Sequence, residues 1–186
     1  MSFAEQYKSA VIATIGGIDT ERVEQAIRWF EETRTRKRHI FVCGNGGSAS
    51  TASHFACDIV KGASFEREDR FRILALTDSL PTLTAYSNDV SYECVFAEQL
   101  KNFAEPEDLV MCISGSGNSP NVLRAMEYAN SIGCRTIALT GRDGGKLGPM
   151  AQLNIHVAAP HMGRIEDGHM IICHMIAYHF MEEKRG

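Results

Sequence analysis

The sequence predicts an α/β protein in which a mainly parallel, five-stranded sheet is flanked by helices on both faces. Short apolar runs rich in β-branched and aromatic residues alternate with segments of helical periodicity, the pattern of strands joined through helices. Strands joined in this way run parallel and are covered on both faces. Two of the predicted strands lead into turns rich in glycine and serine, and such sheets bind ligands beyond the carboxyl ends of their strands. The length of 186 residues fits a single domain over residues 1–186.

The N-terminal segment 3–35 predicts a pair of helices. Apolar residues recur at helical spacing on both sides of a break at Gly16 and Gly17. Asp19 is a suitable N-cap for the second helix. The basic run 34–38 is then expected to be a solvated helix end that leads into the first strand.

The remaining elements follow in order from residue 39. The apolar runs predict strands at 39–43, 71–77, 109–114, 136–140 and 154–157. Helices are predicted at 48–60, at 92–103, from the turn 115–121 to about residue 131, and from 165 to about 184. Residues 78–89 are predicted as a loop with a short helical piece, and 141–145 as a further glycine-rich turn.

The stretch 41–60 contains the first candidate functional residues of the chain. A buried strand leads into the glycine-rich turn 44–47, and a helix is predicted to follow it. Backbone N–H groups at such a helix start are free to bind an anion. His54 and Asp58 are four residues apart, so they lie on one face of the predicted helix.

A second turn, residues 114–119, has the sequence Ser-Gly-Ser-Gly-Asn-Ser between a strand and a helix. Its hydroxyl and backbone N–H groups form a neutral nest suited to a phosphate monoester. By itself such a turn is equally typical of a plain connection between a strand and a helix. Neither glycine turn has the lysine of a phosphate-binding P-loop or the spacing of a dinucleotide-binding turn, so nucleotide binding is disfavoured.

The segment 164–174 carries the second acid–imidazole pair. Glu166 and His174 are eight residues apart and stay on roughly the same side of a helix. Together with His54 and Asp58 they offer a set of imidazole and carboxylate ligands that suits Zn²⁺ or a similar divalent ion. The other histidines of the C-terminal half are expected to be packed or surface-exposed, namely His156, His161, His169 and His179.

Composition narrows the class of protein. The formal net charge of −4 and the absence of a Lys/Arg run longer than the short one at 34–38 argue against nucleic acid as a partner. No segment has the length and hydrophobicity of a membrane span, and the N-terminus has no signal-peptide pattern. The six cysteines contain no Cys-x-x-Cys pair and are expected to be buried reduced thiols. We therefore expect a cytoplasmic protein that binds neither nucleic acid nor a membrane.

Four motifs, at 43–49, 114–119, 140–147 and 164–174, together resemble those of the sugar isomerase (SIS) domain family. Within that family they are most similar to the phosphoheptose isomerases, and the resemblance covers nearly the whole chain. It implies a SIS-type α/β sandwich that assembles as a homotetramer, with active sites built from more than one subunit. The N-terminal helical pair would then be used in oligomerisation.

The resemblance also implies a set of site residues. Substrate contacts are expected from Asn45, Gly46, Gly47, Ser48, Asn88, Asp89, Ser114, Gly115, Ser116, Ser119 and Glu166. One Zn²⁺ per subunit is expected on His54, Asp58, Glu166 and His174. The family normally has Glu at the position of Asp58 and Gln at that of Glu166, so this chain has a shorter acid and an additional carboxylate.

The activity that the resemblance implies is the isomerisation of sedoheptulose 7-phosphate to D-glycero-D-manno-heptose 7-phosphate through a cis-enediol. Asp58 would be the base and His174 the acid. Two alternatives remain open at this point: an isomerase of another phosphorylated ketose, or a non-catalytic SIS protein that acts as an assembly factor with the replication initiator. The presence of Asp58, Glu166 and His174 favours the enzyme, since such binding proteins generally keep the histidine but lose the acid on the helix that follows the glycine turn.

Overall fold

A parallel sheet of five strands forms the centre of the computed structural model, which describes residues 1–182. The strand order is β2-β1-β3-β4-β5, and every neighbouring pair is parallel. The strands are His39–Gly44 (β1), Arg72–Ala75 (β2), Leu109–Ser114 (β3), Arg135–Gly141 (β4) and Leu153–Val157 (β5). Because the order reverses between β1 and β3, a crevice is expected beyond the carboxyl ends of these two strands.

Helices cover both faces of the sheet, as the sequence predicts. Those in the described residues are Phe3–Gly16 (α1), Thr20–Thr35 (α2), Gly47–Cys57 (α3), Leu80–Asp89 (α4), Val95–Phe103 (α5), Pro120–Ser131 (α6), Leu147–Met150 (α7) and Met162–Glu182 (α8). The predicted end of α8 near residue 184 lies outside the described residues. The fold class predicted from the sequence is confirmed.

Two hydrophobic cores lie on the two faces of the sheet. Helices α2, α3 and α8 pack on one face, where Phe30 and Phe55 meet edge to face with ring centroids 5.5 Å apart. Helices α5, α6 and α7 pack on the other face. Truncation of a fully buried aromatic ring such as Phe30 or Phe55 to alanine would cost roughly 3–5 kcal/mol.

Helix α1 buries none of its residues, a property that it shares with α4. It packs along α8, and Phe3 and Ile12 stay exposed to solvent. Its start is well defined, since Ser2 and Glu5 form a reciprocal capping box. The start of the helix is therefore fixed by its own cap, while its apolar face is left uncovered in the single chain.

Three predicted elements need correction, and Cys57, one of the six cysteines predicted to be buried, is exposed. Residues 80–89 form a regular helix, which begins with Pro81 in its first turn, a position that favours a helix start. The predicted helix 48–60 ends its α-helical part at Cys57 and continues as a π-turn, Asp58–Gly62, in which the Ala63 N–H donates to the Asp58 carbonyl over 3.0 Å. The helix predicted at 92–103 begins with a 3₁₀ turn, Tyr92–Cys94.

Candidate active site

The serine-rich loop after β3 is arranged to donate hydrogen bonds. The Ser114 hydroxyl oxygen accepts from the Gly117 N–H over 3.1 Å, and the Ser116 hydroxyl oxygen accepts from the Asn118 N–H over 3.3 Å. Both oxygens accept from the backbone, so their O–H groups can donate elsewhere, either to a ligand or between the two hydroxyls, whose oxygens lie 3.5 Å apart. Ser119 stands at the N-cap of α6, and its hydroxyl makes no capping hydrogen bond. The loop thus presents hydroxyl donors at a helix start, as a phosphate-binding loop requires.

This loop is held in place by the turn that follows β4. The Leu147 N–H donates to the Gly117 carbonyl over 2.9 Å, and the Lys146 N–H donates to Asn118 Oδ1 over 3.1 Å. Gly117 has a φ of +63°, and a β-carbon there would lie 2.7 Å from the carbonyl carbon of Gly144. The two loops therefore pack backbone against backbone, which leaves no room for a side chain at Gly117.

Three side chains converge where α3 meets α8. The Nε2 atoms of His54 and His174 lie 3.2 Å apart, and Asp58 Oδ2 lies 3.2 Å from His54 Nε2 and 3.8 Å from His174 Nε2. His54 and Asp58 are one turn apart on α3 and its π-turn, and the packing of α8 on α3 brings in His174. Asp58 Oδ2 is buried and has no hydrogen-bond partner in the described structure.

The donor set fits a divalent metal ion. Ligand atoms that bind a tetrahedral Zn²⁺ at about 2.0–2.1 Å lie roughly 3.3–3.4 Å from one another. The separations of 3.2, 3.2 and 3.8 Å in this cluster are close to that value. A cation at its centre would also satisfy the orphaned carboxylate oxygen. The three residues are the group in the described chain whose ligand atoms could hold such an ion.

Glu166, expected as the fourth ligand, is not part of this cluster. Its carboxylate lies over the first turn of α3, where a β-carbon at Gly47 would be only 2.6 Å from Glu166 Oε1. Eight helical residues span roughly 12 Å, so Glu166 and His174 share a side of α8 without sharing a site. The helix dipole of α3 favours a carboxylate at this position. The Glu166 carboxylate therefore lies close to the turn that was expected to bind an anion.

The structure also shows where the other predicted substrate residues lie. Asn45 is half-buried in the crevice between β1 and β3. Asn88 and Asp89 are exposed at the end of α4, where the Asn88 side-chain amide donates to Asp89 Oδ1 over 2.7 Å. The part of this segment that reaches the crevice is Tyr92, whose hydroxyl bonds Asn45 Oδ1 over 2.7 Å.

Sequence reasoning assigned no role to Tyr92 or to Asn121. Asn121, in the first turn of α6, is 1% exposed and forms a reciprocal pair of hydrogen bonds with the side-chain amide of Asn45, over 2.8 and 3.0 Å. The only signal in the sequence is a polar residue just after a helix start, and nothing in its immediate neighbours shows that it is buried.

His169 confirms the prediction that it is a packed residue. It is buried against β4, and its Nε2 lies 3.1 Å from the Thr140 carbonyl, to which it donates. Burial lowers the pKa of His169 to about 4, while the hydrogen bond to Thr140 opposes this shift. The imidazole is therefore neutral near pH 7 and fixes α8 to the carboxyl end of β4.

Two clefts open beside these residues. One, of about 790 Å³, lies beyond the carboxyl ends of β3 to β5 and is lined in part by Ser116 and Arg142. The other, of about 740 Å³, is a mostly apolar groove between α1 and α8 that extends to His174. Each has the volume of a small-ligand pocket.

Comparison with known proteins agrees with the fold and the site. The family model described as "SIS domain" matches residues 5–141. Phosphoheptose isomerase of Helicobacter pylori strain P12 is 40% identical over 156 residues, covering 84% of this chain and 81% of the relative. The solved structure of phosphoheptose isomerase GmhA from Neisseria gonorrhoeae superposes with a TM-score of 0.88 at 30% identity, covering 96% of this chain and 97% of that one. That of the phosphoheptose isomerase from Francisella tularensis gives a TM-score of 0.86 at 27% identity, covering 98% and 100%.

The chain belongs to the SIS domain family. Its relatives and its α/β fold place it among the sugar phosphate isomerases of that family. More particularly, it is an enzyme of the phosphoheptose isomerase type, an aldose–ketose isomerase. Among the described residues there is no helix with the length and hydrophobicity to cross a membrane.

Proposed function

We propose that the chain converts sedoheptulose 7-phosphate to D-glycero-D-manno-heptose 7-phosphate through a cis-enediol. The observation that carries this proposal is the convergence of Asp58, His54 and His174 within 3.2 to 3.8 Å, beside a sheet edge with a serine-rich loop. The cluster of Asp58, His54 and His174 can move a proton, and the serine-rich loop can hold a phosphate monoester. The choice of a heptose phosphate as the substrate rests on the names of the relatives, which are phosphoheptose isomerases.

In the proposed reaction Asp58 is the base. Its Oδ2 faces the two histidines, which leaves Oδ1 to take the proton from C1 of the ketose. The electron pair of that C–H bond forms the C1–C2 double bond, and the C2 oxygen is protonated. Return of the proton to C2 and loss of the O1 proton then give the aldose.

His174 is the proposed acid that serves the oxygen atoms. Its Nε2 faces Asp58 and His54, so the proton that it transfers is held on Nδ1 when a cation occupies the cluster. A divalent ion on His54, Asp58 and His174, proposed as one Zn²⁺ per subunit, would stabilise negative charge on the substrate oxygens. Glu166, held over Gly47, is proposed as a substrate-binding residue.

The phosphate group is proposed to bind the loop 114–119, far enough from the reacting carbons to orient them. We expect Ser119→Ala to raise KM for the sugar phosphate by roughly 10- to 150-fold with little change in kcat, because a hydrogen bond to a charged group is worth about 1.5–3 kcal/mol. Steady-state kinetics would show this. The exposed Ser131→Ala, at the other end of α6, is the matched control. An unchanged KM for Ser119→Ala would mean that the phosphate binds elsewhere.

A homotetramer is proposed with this function, with the α1 and α2 pair in its interface. The exposed Phe3 and Ile12 of α1 support it, as does the apolar groove between α1 and α8, since a second copy there would contact the region of His174. We further propose a cytoplasmic enzyme that serves lipopolysaccharide heptose synthesis, as the heptose product suggests.

The experiment that tests the proposed function is a direct assay on metal-analysed protein. Protein purified without a chelator is analysed for zinc, and sedoheptulose 7-phosphate is followed by proton NMR in D₂O. We expect the aldose to appear with deuterium at C2, because the enediol exchanges its proton with solvent. Substrate left unchanged by zinc-loaded protein would contradict the heptose and favour another phosphorylated ketose. Unchanged substrate and no bound metal would favour the non-catalytic assembly factor.

A further inference from the structure

The side-chain amide of Asn45 has an orientation that can be derived from a backbone group. The N–H of Val122 is shared between Asn121 Oδ1, over 3.0 Å, and the Ser119 carbonyl, over 3.1 Å. A backbone N–H can only donate, so the atom of Asn121 that it meets must be the oxygen. The same oxygen faces the side chain of Asn45 over 2.8 Å. The atom of Asn45 on that side must therefore be its nitrogen.

The orientation of Asn45 in turn fixes that of Tyr92. With Nδ2 of Asn45 toward Asn121 Oδ1, its Oδ1 accepts from Asn121 Nδ2 over 3.0 Å. The Tyr92 hydroxyl lies 2.7 Å from the same Oδ1. A carbonyl oxygen can only accept, so the phenol proton must point at Asn45. The oxygen lone pairs of Tyr92 are then left for another partner.

A count of donors and acceptors shows which hydrogen bonds Asn45 and Tyr92 can still form with a ligand. Asn45 Oδ1 has both of its acceptor positions filled, and Asn45 Nδ2 has used one of its two protons. Asn45 can thus act toward a ligand only as a donor, and Tyr92 only as an acceptor. A sugar hydroxyl is both donor and acceptor, so a polyol can pair with either residue.

The three hydrogen-bonded residues Tyr92, Asn45 and Asn121 differ in how far they are exposed to solvent, and this indicates different roles. Tyr92 is 56% exposed and Asn45 is half-buried at the crevice between β1 and β3, while Asn121 is 1% exposed beneath them. We infer that Tyr92 is a substrate-contacting residue that accepts a hydrogen bond from a sugar hydroxyl, and that Asn121 is the positioning residue that sets the amide orientation of Asn45. The inference rests on the proposed function in one respect, namely that the ligand is a sugar phosphate.

The test uses Tyr92→Phe, Asn121→Asp and their double variant. Phenylalanine removes the acceptor and leaves the Asn45–Asn121 pair intact, so we expect the dissociation constant for the sugar phosphate to rise about 5- to 10-fold with kcat nearly unchanged. A carboxylate at position 121 cannot donate to Asn45 Oδ1 and would repel it. We expect Asn121→Asp to weaken binding by at least about 10-fold.

The double variant separates positioning from a merely structural role. Once Asn45 has lost its orientation, removal of the Tyr92 hydroxyl should cost little more, so the effects of the two substitutions should fall well short of additive. Tyr128→Phe is the matched control for Tyr92→Phe, since it removes a tyrosine hydroxyl two turns beyond Asn121 on α6. This variant should bind the sugar phosphate as the wild type does. If Asn121→Asp does not fold, which melting curves would show, the comparison of Tyr92→Phe with Tyr128→Phe still decides the first part of the inference.

Binding and turnover are measured separately, by calorimetric titration and by steady-state kinetics, with sedoheptulose 7-phosphate and with fructose 6-phosphate. Wild-type protein that binds a sugar phosphate without turnover would contradict the proposed function and leave the inference to be decided by the variants. Equal affinity of Tyr92→Phe and wild type, additive effects in the double variant, or no binding of either sugar phosphate would overturn the inference.

Discussion

Asp58→Asn should lower kcat by about 10³-fold while the protein stays folded. General-base catalysis contributes about 10²–10⁴ in rate, and the amide cannot accept the C1 proton. The fold should survive because asparagine has the same shape and Asp58 makes no hydrogen bond through its buried Oδ2. Turnover of sedoheptulose 7-phosphate at saturating substrate and excess Zn²⁺, together with the thermal midpoint, would measure both effects.

Two further variants make this result specific. Asp58→Glu retains a carboxylate and should keep a measurable fraction of the wild-type activity. Asp69→Asn removes an exposed carboxylate from the loop before β2 and should leave turnover unchanged. An Asp58→Asn enzyme with kcat within about tenfold of the wild type would remove Asp58 from the chemical step.

Gly117→Ala should destabilise the protein by about 2–4 kcal/mol, the second large effect that we expect. An alanine at a φ of +63° is strained, and its β-carbon would meet the carbonyl group of Gly144. The obstacle is backbone, so it cannot rotate away as a side chain would. The loop after β3 and the turn after β4 would have to separate, with the loss of the hydrogen bond from Leu147 to Gly117. Urea unfolding at one protein concentration would measure the change.

Gly133→Ala is the matched control for this substitution. Gly133 also has a positive φ, of +82°, but nothing lies within 4 Å of the position of its β-carbon. Its replacement should therefore cost only the backbone strain, about 1 kcal/mol. Equal destabilisation by the two variants would show that the loops are free to separate and do not constrain each other.

The fold could be predicted from the sequence because its signals are local. Each strand is a short apolar run, and strands joined through helices have few alternative arrangements. The strand predicted at 109–114 has the bounds of β3. The short α7 was not predicted because four residues carry too little periodicity. Helix α4 was predicted only as a helical piece, since its sequence is polar and none of its residues is fully buried.

The site was predictable only as far as its residues share one element. The spacing of His54 and Asp58 is enough to place them on one face, and the structure has them 3.2 Å apart. The approach of His174 depends on the packing of α8 on α3, which spacing alone does not give. The position of Glu166 over Gly47 and the bonding of Asn121 to Asn45 depend on contacts between segments far apart in the chain. Such contacts leave no periodic signal.

The π-turn at 58–62 bears on how the chain can change in length. In this turn the Asp58 carbonyl accepts from the Ala63 N–H, whereas in an α-helix it would accept from the Gly62 N–H. The π-turn therefore contains one residue more than an α-helical turn. A variant that lacks one residue between 59 and 62 could thus close the same turn as ordinary α-helix, with β2 and its connections unaltered. His54 and Asp58 precede the extra residue, so their spacing would be kept. A residue gained or lost here would therefore re-aim only the side chains of the turn itself, residues 59–62, while the acid stays in place.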